Sequence, residues 1–466
     1  MRQPRFLLSA GASGSGKTMI TCGILAALRK RGKKVSSFKC GPDYIDPMFH
    51  SRVLKAKSRN LDTFFTDRET TRYLFAQGAE GTDISVMEGV MGYYDGLGGI
   101  STKASASDLA DVTDTPVVLI VNTKGMSLSV AAYIKGFLEY EAHPHIKGVI
   151  FNQMSPMLYP RMKKVVEEQL HVRVYGYVPV LKDLTLDSRH LGLVLPEEVE
   201  DLEKKFSLLA DTLEQTLDLD GLISLAEEAP EIENQCPENI KNYLKSQEAQ
   251  KIREEKPVIA VAKDEAFCFI YEDNLKLLRE LGAELVPFSP LHDKELPEGT
   301  KGLLLYGGYP ELYAKELEDN APMRQKIQDA LNQGMPCLAE CGGFMYLHET
   351  MEDLKGNAYQ GTGNISGRAF YTGKLTRFGY VELSARKEGV LGAGETPIRA
   401  HEFHYFDSTS CGGDFVAKKP GSSRNWNCIH GTGKSLWGFP HLYYHACPQV
   451  AEGFLKACLE REGEER

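Results

Sequence analysis

Two short stretches of this 466-residue chain have the residue types and spacing to do chemistry. The first, GASGSGKT, begins at Gly11, directly after the apolar run Phe6-Leu7-Leu8. Gly11, Gly16, Lys17 and Thr18 satisfy the pattern G-x-x-x-x-G-K-[ST], and Gly14 adds a further flexible position. Glycines so placed let backbone N–H groups approach phosphate oxygens, and the following helix N-terminus adds positive potential. The lysine reaches the terminal phosphates, and the hydroxyl is offered to Mg²⁺. ATP and Mg²⁺ are therefore the expected cofactors; the alternative is a flexible Gly/Ser turn. The second stretch, MPCLAECGGFMYL, reads as a buried strand at Cys337-Leu338-Ala339, an abrupt turn at Gly342-Gly343 and a helix starting over 344–347. Cys341 stands at the bend. A cysteine at such an elbow is expected to be exposed, to have its thiol pKa lowered by the helix N-terminus and to be ringed by backbone donors for an oxyanion. It is the candidate nucleophile.

Acids follow other strands of the first half. KCGPDYIDP places Asp43 and Asp46 after the second strand, and VMEGVMGYYDG places Glu88 and Asp95 after the third. Ligands of an open parallel sheet sit beyond the carboxyl ends of its strands, so these four carboxylates are expected to converge on one site. Glu88, with Asp43, Asp46 or both, is expected to hold Mg²⁺ directly or through water. Asp43, Asp46 and Asp95 are candidates for handling substrate or transferred phosphate. Asp46 is equally a cap residue before Pro47, and Asp95 equally a turn residue before Gly96. The cysteine needs an imidazole base, for which His430, His441 and His445 are the candidates near the C-terminus. His401 and His404, in IRAHEFHYF, sit on an alternating strand and face opposite sides, which argues against a shared metal.

The elements that must position these residues fall into two alternating series. Apolar runs at 34–39, 84–87, 116–121, 148–151 and 172–178 predict strands, and Ile20, Ile24, Leu25 and Leu28 share one face of a helix over 19–31. Strand and helix in alternation imply a parallel sheet covered on both faces. The polar stretch 227–256 predicts a linker, with a helical turn near 240–244. A second series follows, with strands at 258–261, 284–288, 303–306 and 337–339 and a helix over 272–281. RFGYVELSAR and PIRAHEFHYFD then alternate like antiparallel strands.

Composition narrows the function class. With 42% hydrophobic and 25% charged residues the chain is globular and long enough for two cores. A net charge of −10 argues against nucleic-acid partners, so an anionic substrate must be met by local cations. No run suits a membrane span, and Gly and Ser interrupt the N-terminus where a signal peptide would stay apolar, so a cytoplasmic protein is expected. The ten cysteines contain no CxxC pair, which argues against a zinc knuckle or a disulfide framework.

The series GASGSGKT, FKCGPDYIDP, NLDTF, MEGVMGYYDG, VNTKGMSLS, GVIFNQ and SRHLGLV resembles the synthetase half of the cobyrinic acid a,c-diamide synthase family, itself similar to dethiobiotin synthetase. The runs IAVAKDEAFCFIYEDNL, GAELVPFSP, YGGYPELY, AECGGFMYL, FGYVE and AHEFHY resemble its glutaminase half. The resemblance implies an α/β chain of two domains. An ATP-dependent P-loop NTPase-type parallel sheet spans 1–226, a linker spans 227–256, and a class I glutamine amidotransferase-like domain spans 257–466. It implies ATP-driven formation of an acyl phosphate on cobyrinic acid and its amidation at the a and c acetates, with ammonia drawn from L-glutamine along a protected route. By the same resemblance Asn152 faces the adenine and Gly307 and Gly308 supply oxyanion donors. The motif around FPHLYYHACPQVAEGFL puts the base at His441, with Tyr443 where relatives often carry a second His. Most class I amidotransferases place a Glu two residues after that His; none is present here, so another acceptor must set its tautomer. His401, Glu402 and His404 are implied to line the acceptor site, and Arg189 or His190 to meet a polyanion; each is equally a structural or surface residue. The resemblance leaves open hydrogenobyrinic acid or nickel-sirohydrochlorin as the acceptor, and a homodimer as the assembly. Two rivals share motifs with this reading. One is a P-loop ATPase with a non-catalytic amidotransferase-like module; the other is a ligase acting on cell-wall lipid carboxylates.

Overall fold

In the computed structural model the described residues are 2–55, 57–181 and 195–460, with the backbone of 188–189 and 192–193. The Arg189 side chain and His190 lie outside them. The chain divides into two compact units, Met1–Pro237 and Glu238–Arg466.

The first unit is built on seven parallel strands: β1 (Arg5–Ala10), β2 (Val35–Cys40), β3 (Arg59–Leu61), β4 (Ile84–Glu88), β5 (Val117–Asn122), β6 (Ile146–Asn152) and β7 (Arg173–Val178). Their spatial order is β3-β2-β4-β1-β5-β6-β7. Every residue of β1, β2 and β4 is buried, as expected of a sheet covered on both faces. The helix α1 (Lys17–Lys30) begins one residue after Gly16 and buries Ile20, Ile24, Leu25 and Leu28, the stripe expected from its spacing. The helix α2 (Ile45–Leu54) starts inside GPDYIDP. Because β1, β2 and β4 are adjacent and parallel, the segments leaving their carboxyl ends share one edge of the sheet.

The second unit holds a six-stranded sheet in the order Glu284–Phe288, Val258–Ala262, Thr300–Leu305, Cys337–Glu340, Leu436–Gly438, His430–Gly431; only the last pairing is antiparallel. A five-stranded antiparallel sheet runs Asn425–Cys428, Phe415–Lys418, Arg377–Ala385, Ile398–His404, His441–Leu442.

The linker expected over 227–256 is a correction. Leu219–Glu227 is a helix of the first unit, while Glu238–Leu244 and Gln247–Glu255 are helices of the second. Ile240, Ala249 and Ile252 are fully buried, the last two within the core around Leu278 and Phe454, against which Leu244 packs partly buried. Sparse but correctly spaced apolar residues suffice to dock a short polar helix.

Candidate functional site

The phosphate cradle is shaped by backbone and braced by side chains. Lys17 Nζ donates to the Ala12 carbonyl at 3.1 Å and the Met91 carbonyl at 2.6 Å, which lays the ammonium across the loop. Burial, then the neighbouring Lys39, brings its pKa down to about 8. Thr18 Oγ1 donates to Glu88 Oε1 at 3.0 Å, so the helix hydroxyl and the strand-end carboxylate meet beside the phosphate loop. That pair of hard oxygen donors beside the phosphate loop fits Mg²⁺.

Glu88 is fully buried and carries two further partners that sequence reasoning did not single out. Lys39 Nζ donates to Glu88 Oε1 at 2.8 Å, Asp46 Oδ2 at 2.5 Å and the Gly89 carbonyl at 3.1 Å. His50 Nε2 donates to Glu88 Oε2 at 2.8 Å. Burial alone would raise the Glu88 pKa, yet Lys39 and His50 hold it well below the carboxylate range. Burial and Asp43 push Asp46 upward. The signal for Lys39 was available: a lysine inside a strand that reads as fully buried must find counter-charges.

The remaining first-half candidates are engaged locally. Asp43 Oδ1 accepts the backbone N–H groups of Ile45 and Asp46 and so starts α2. Asp95 Oδ2 accepts the Gly92 N–H at 2.9 Å, closing a turn that is itself tied to β1 through Tyr93 N–H and the Ala10 carbonyl. Asn152, expected at the adenine, donates from Nδ2 to the Ser15 carbonyl at 2.8 Å and accepts the Gln153 N–H on Oδ1. It braces the phosphate loop.

The second site is built on a strained elbow. The strand Cys337–Glu340 is wholly buried, and Cys341 follows it at φ 46°, ψ −104°, in a region that costs a non-glycine residue about 1–3 kcal/mol. Its N–H donates to the Gly438 carbonyl at 2.9 Å, anchoring the bend to the next strand. Two residues on, a Cβ at Gly343 would sit 2.0 Å from the Leu305 carbonyl oxygen, so only glycine lets the chain turn here. The same argument applies to the glycine turn after the strand Thr300–Leu305. A Cβ at Gly307 would lie 2.6 Å from His441 Cε1, 3.5 Å from its Nε2 and 3.3 Å from Cys341 Cβ. Thiol-bearing bend, imidazole and glycine turn therefore meet at one point. The Gly308 nitrogen lies 3.2 Å from the Cβ position of Gly342. The Gly342 N–H, which no sequence signal marked, faces the sulfur and favours the thiolate.

The exposed, acidified thiol expected at this elbow is a second correction. Cys341 is only 6% exposed, and burial, then Glu311, pushes its thiol pKa up. The surrounding core desolvates the sulfur more than a five-residue helix can compensate. Ionisation therefore requires a base alongside, and among the three C-terminal candidates His441 is the imidazole placed there. His430 Nε2 instead donates to the Ser410 carbonyl at 2.8 Å, and the buried His445 follows on a short helical turn.

The His441 segment is clamped by the first turn of the helix Glu272–Leu281. The fully buried Asn274 donates to the Leu442 carbonyl and accepts the Tyr444 N–H, both at 2.8 Å. Tyr443 Oη donates to Asp273 Oδ2 at 3.1 Å. His441 lies directly across the ladder from His401, whose pKa burial and His441 hold well below its ordinary value. His404 stacks on Phe439 with ring centroids 4.0 Å apart, and its Nδ1–H donates to the Phe406 carbonyl. His441 Nδ1 lies 3.6 Å from Glu340 Oε2.

Residues 6–194 match the CobQ/CobB/MinD/ParA nucleotide binding domain, and residues 258–423 match the CobB/CobQ-like glutamine amidotransferase domain. With a phosphate cradle in one unit and a cysteine–imidazole elbow in the other, the protein is a glutamine-hydrolysing carbon–nitrogen ligase. The cobyrinate a,c-diamide synthases of Caldanaerobacter subterraneus subsp. tengcongensis, Listeria innocua and Clostridium tetani are each 38% identical to it. The alignments span 97%, 96% and 98% of this chain and 98%, 97% and 99% of those proteins. The chain belongs to the cobyrinate a,c-diamide synthase family. No helix among the described residues is long and apolar enough to cross a membrane.

Proposed function

We propose that this enzyme converts the a and c acetate carboxylates of cobyrinic acid to amides, with L-glutamine as nitrogen donor and ATP as activator. The acceptor rests on the near-full-length likeness to relatives that carry that name. The chemistry rests on one observation, the convergence of Cys341, His441 and Gly307 at a single point.

In the second unit, Cys341 Sγ attacks the glutamine side-chain carbonyl as its proton passes to His441 Nε2. In this reading the turn at Gly307 and Gly308, together with the Gly342 N–H, receives the oxyanion. Collapse expels ammonia, protonated on the way out by His441, and water hydrolyses the glutamyl thioester to glutamate. In the first unit the P-loop backbone and Lys17 hold the ATP phosphates, and a substrate carboxylate oxygen attacks the γ-phosphorus to give an acyl phosphate and ADP. Ammonia then adds to the acyl carbon and phosphate leaves. Mg²⁺, held by Thr18 and Glu88, would neutralise charge developing on the β- and γ-phosphates. Lys39 and His50 keep Glu88 ionised and fixed in direction for that task.

Incubation of the purified chain with cobyrinic acid, ATP, Mg²⁺ and glutamine should give two successive mass changes of amidation. Glutamate should be released in step with amide. ATP hydrolysis without glutamine hydrolysis would instead identify an ATPase with a non-catalytic second module.

A further inference from the structure

The base at His441 lacks the acid two residues downstream that would fix its tautomer, since Tyr443 stands there and its hydroxyl is given to Asp273. We infer that Glu340 fills that role, making the glutaminase centre a Cys341–His441–Glu340 triad whose acid and nucleophile are neighbours in sequence. The inference rests on the assignment of Cys341 and His441 made above.

Neighbouring residues on a strand face opposite ways, so one imidazole is not ordinarily addressed by both. The left-handed backbone at Cys341 breaks the alternation. Glu340, the last strand residue, comes to within 3.6 Å of His441 Nδ1, while Cys341 Cβ and His441 Nε2 lie 3.3 and 3.5 Å from the position a Cβ would take at Gly307. Both partners are sealed from solvent, with side chains 2% and 4% exposed. Glu340 Oε1 has no hydrogen-bond partner among the described residues, which leaves the carboxylate uncommitted to any structural bond on that oxygen. The separation is longer than a hydrogen bond, as catalytic contacts often are before substrate tightens them. Burial raises the proton affinity of Glu340, and the His441 ring and the Leu442 N–H counter it.

A carboxylate at Nδ1–H leaves Nε2 as the acceptor for the thiol proton and stabilises the imidazolium that forms. The proton moves from Sγ to Nε2 and on to the departing nitrogen as the C–N bond breaks; Glu340 stays ionised throughout. The other titratable groups around the centre are His401 and Glu402 on the adjoining strand, Glu311 beyond the glycine turn, Tyr306, Tyr444 and Asp273. Glu311, Glu402 and, after them, Glu340 itself bear on the Cys341 thiol, each raising its pKa, and Asp273 is engaged by Tyr443. Glu340 is the acid paired with the His441 ring.

The test uses the full-length chain, measuring glutaminase kinetics and the pH dependence of Cys341 alkylation by iodoacetamide. Glu340→Gln keeps volume but loses charge. It should lower glutaminase kcat about 10²-fold while KM for glutamine moves less than about threefold. The alkylation profile should shift toward higher pH, and Glu340→Asp should recover about tenfold of the lost rate. Unchanged thermal unfolding of the variants excludes a folding defect. An alkylation profile that superimposes on that of the native chain, or a loss that Asp does not recover, overturns the inference. Persistence of glutaminase activity in Cys341→Ser or His441→Ala would instead overturn the underlying assignment of nucleophile and base.

Discussion

The two sites prepare for chemistry in opposite ways. In the phosphate site charge is installed in advance: Lys39 is packed between Asp46 and Glu88, His50 bonds the far oxygen of Glu88, and Lys17 is held by two backbone carbonyls. In the thiol site charge is withheld. Cys341 is buried, its pKa is raised, and the bend is fixed by backbone strain and by glycines that admit no side chain. The contrast follows from the ligands. A triphosphate and a polycarboxylate arrive already charged and need a preformed counter-field. Glutamine is neutral, so the thiolate is useful only while substrate is present, and a sulfur kept protonated until then is guarded against oxidation.

The contrast can be broken most severely at the nucleophile. Cys341→Ser should cut glutamine-dependent amidation by about 10³-fold or more, while ammonium salts restore product, as measured by amide formation with each nitrogen source. At the charged site the first casualty should be folding. Lys39→Met strands Glu88 and Asp46 without their cation and should cost about 3–5 kcal/mol, read from chemical denaturation of the full chain. Conversion to Glu88→Gln together with Lys39→Met should recover part of that loss. A purely steric lesion, Gly307→Ala, would drive a methyl group against His441 and should lower glutaminase activity about 10²-fold with little change in ATPase activity. The smallest effect is expected at the clamp. Asn274→Ala removes two buried hydrogen bonds from the His441 segment and should reduce glutaminase kcat about tenfold, with a fall of about 1–3 kcal/mol in stability.

Much of this was legible before any coordinates. The phosphate loop, the acid-bearing strand ends, the elbow and the YGGY turn each depend on neighbours within a dozen residues, and local motifs encode local backbone. The helix Glu272–Leu281 and the strand Glu284–Phe288 have the bounds expected from periodicity. What escaped were partnerships made across the sheet. Lys39 looked like one more strand residue, although it ties two acids that lie on different segments. Asn152 sits at a strand end, and nothing local announces that its amide reaches Ser15, 137 residues away. The helices Glu238–Leu244 and Gln247–Glu255 were hidden because their apolar faces are only a few residues wide.

The sequence by itself determined which groups could react and the order of elements that carry them, because strand-to-helix turns and glycine spacing are written in adjacent residues. Only the tertiary structure decided which histidine meets Cys341, that the thiol is buried and therefore dependent on a base, and that Glu340 lies beside the far nitrogen of that ring. Those facts depend on parallel strands brought into register from opposite ends of the second unit. Desolvation is a property of everything packed around a group, and no short stretch of sequence contains it.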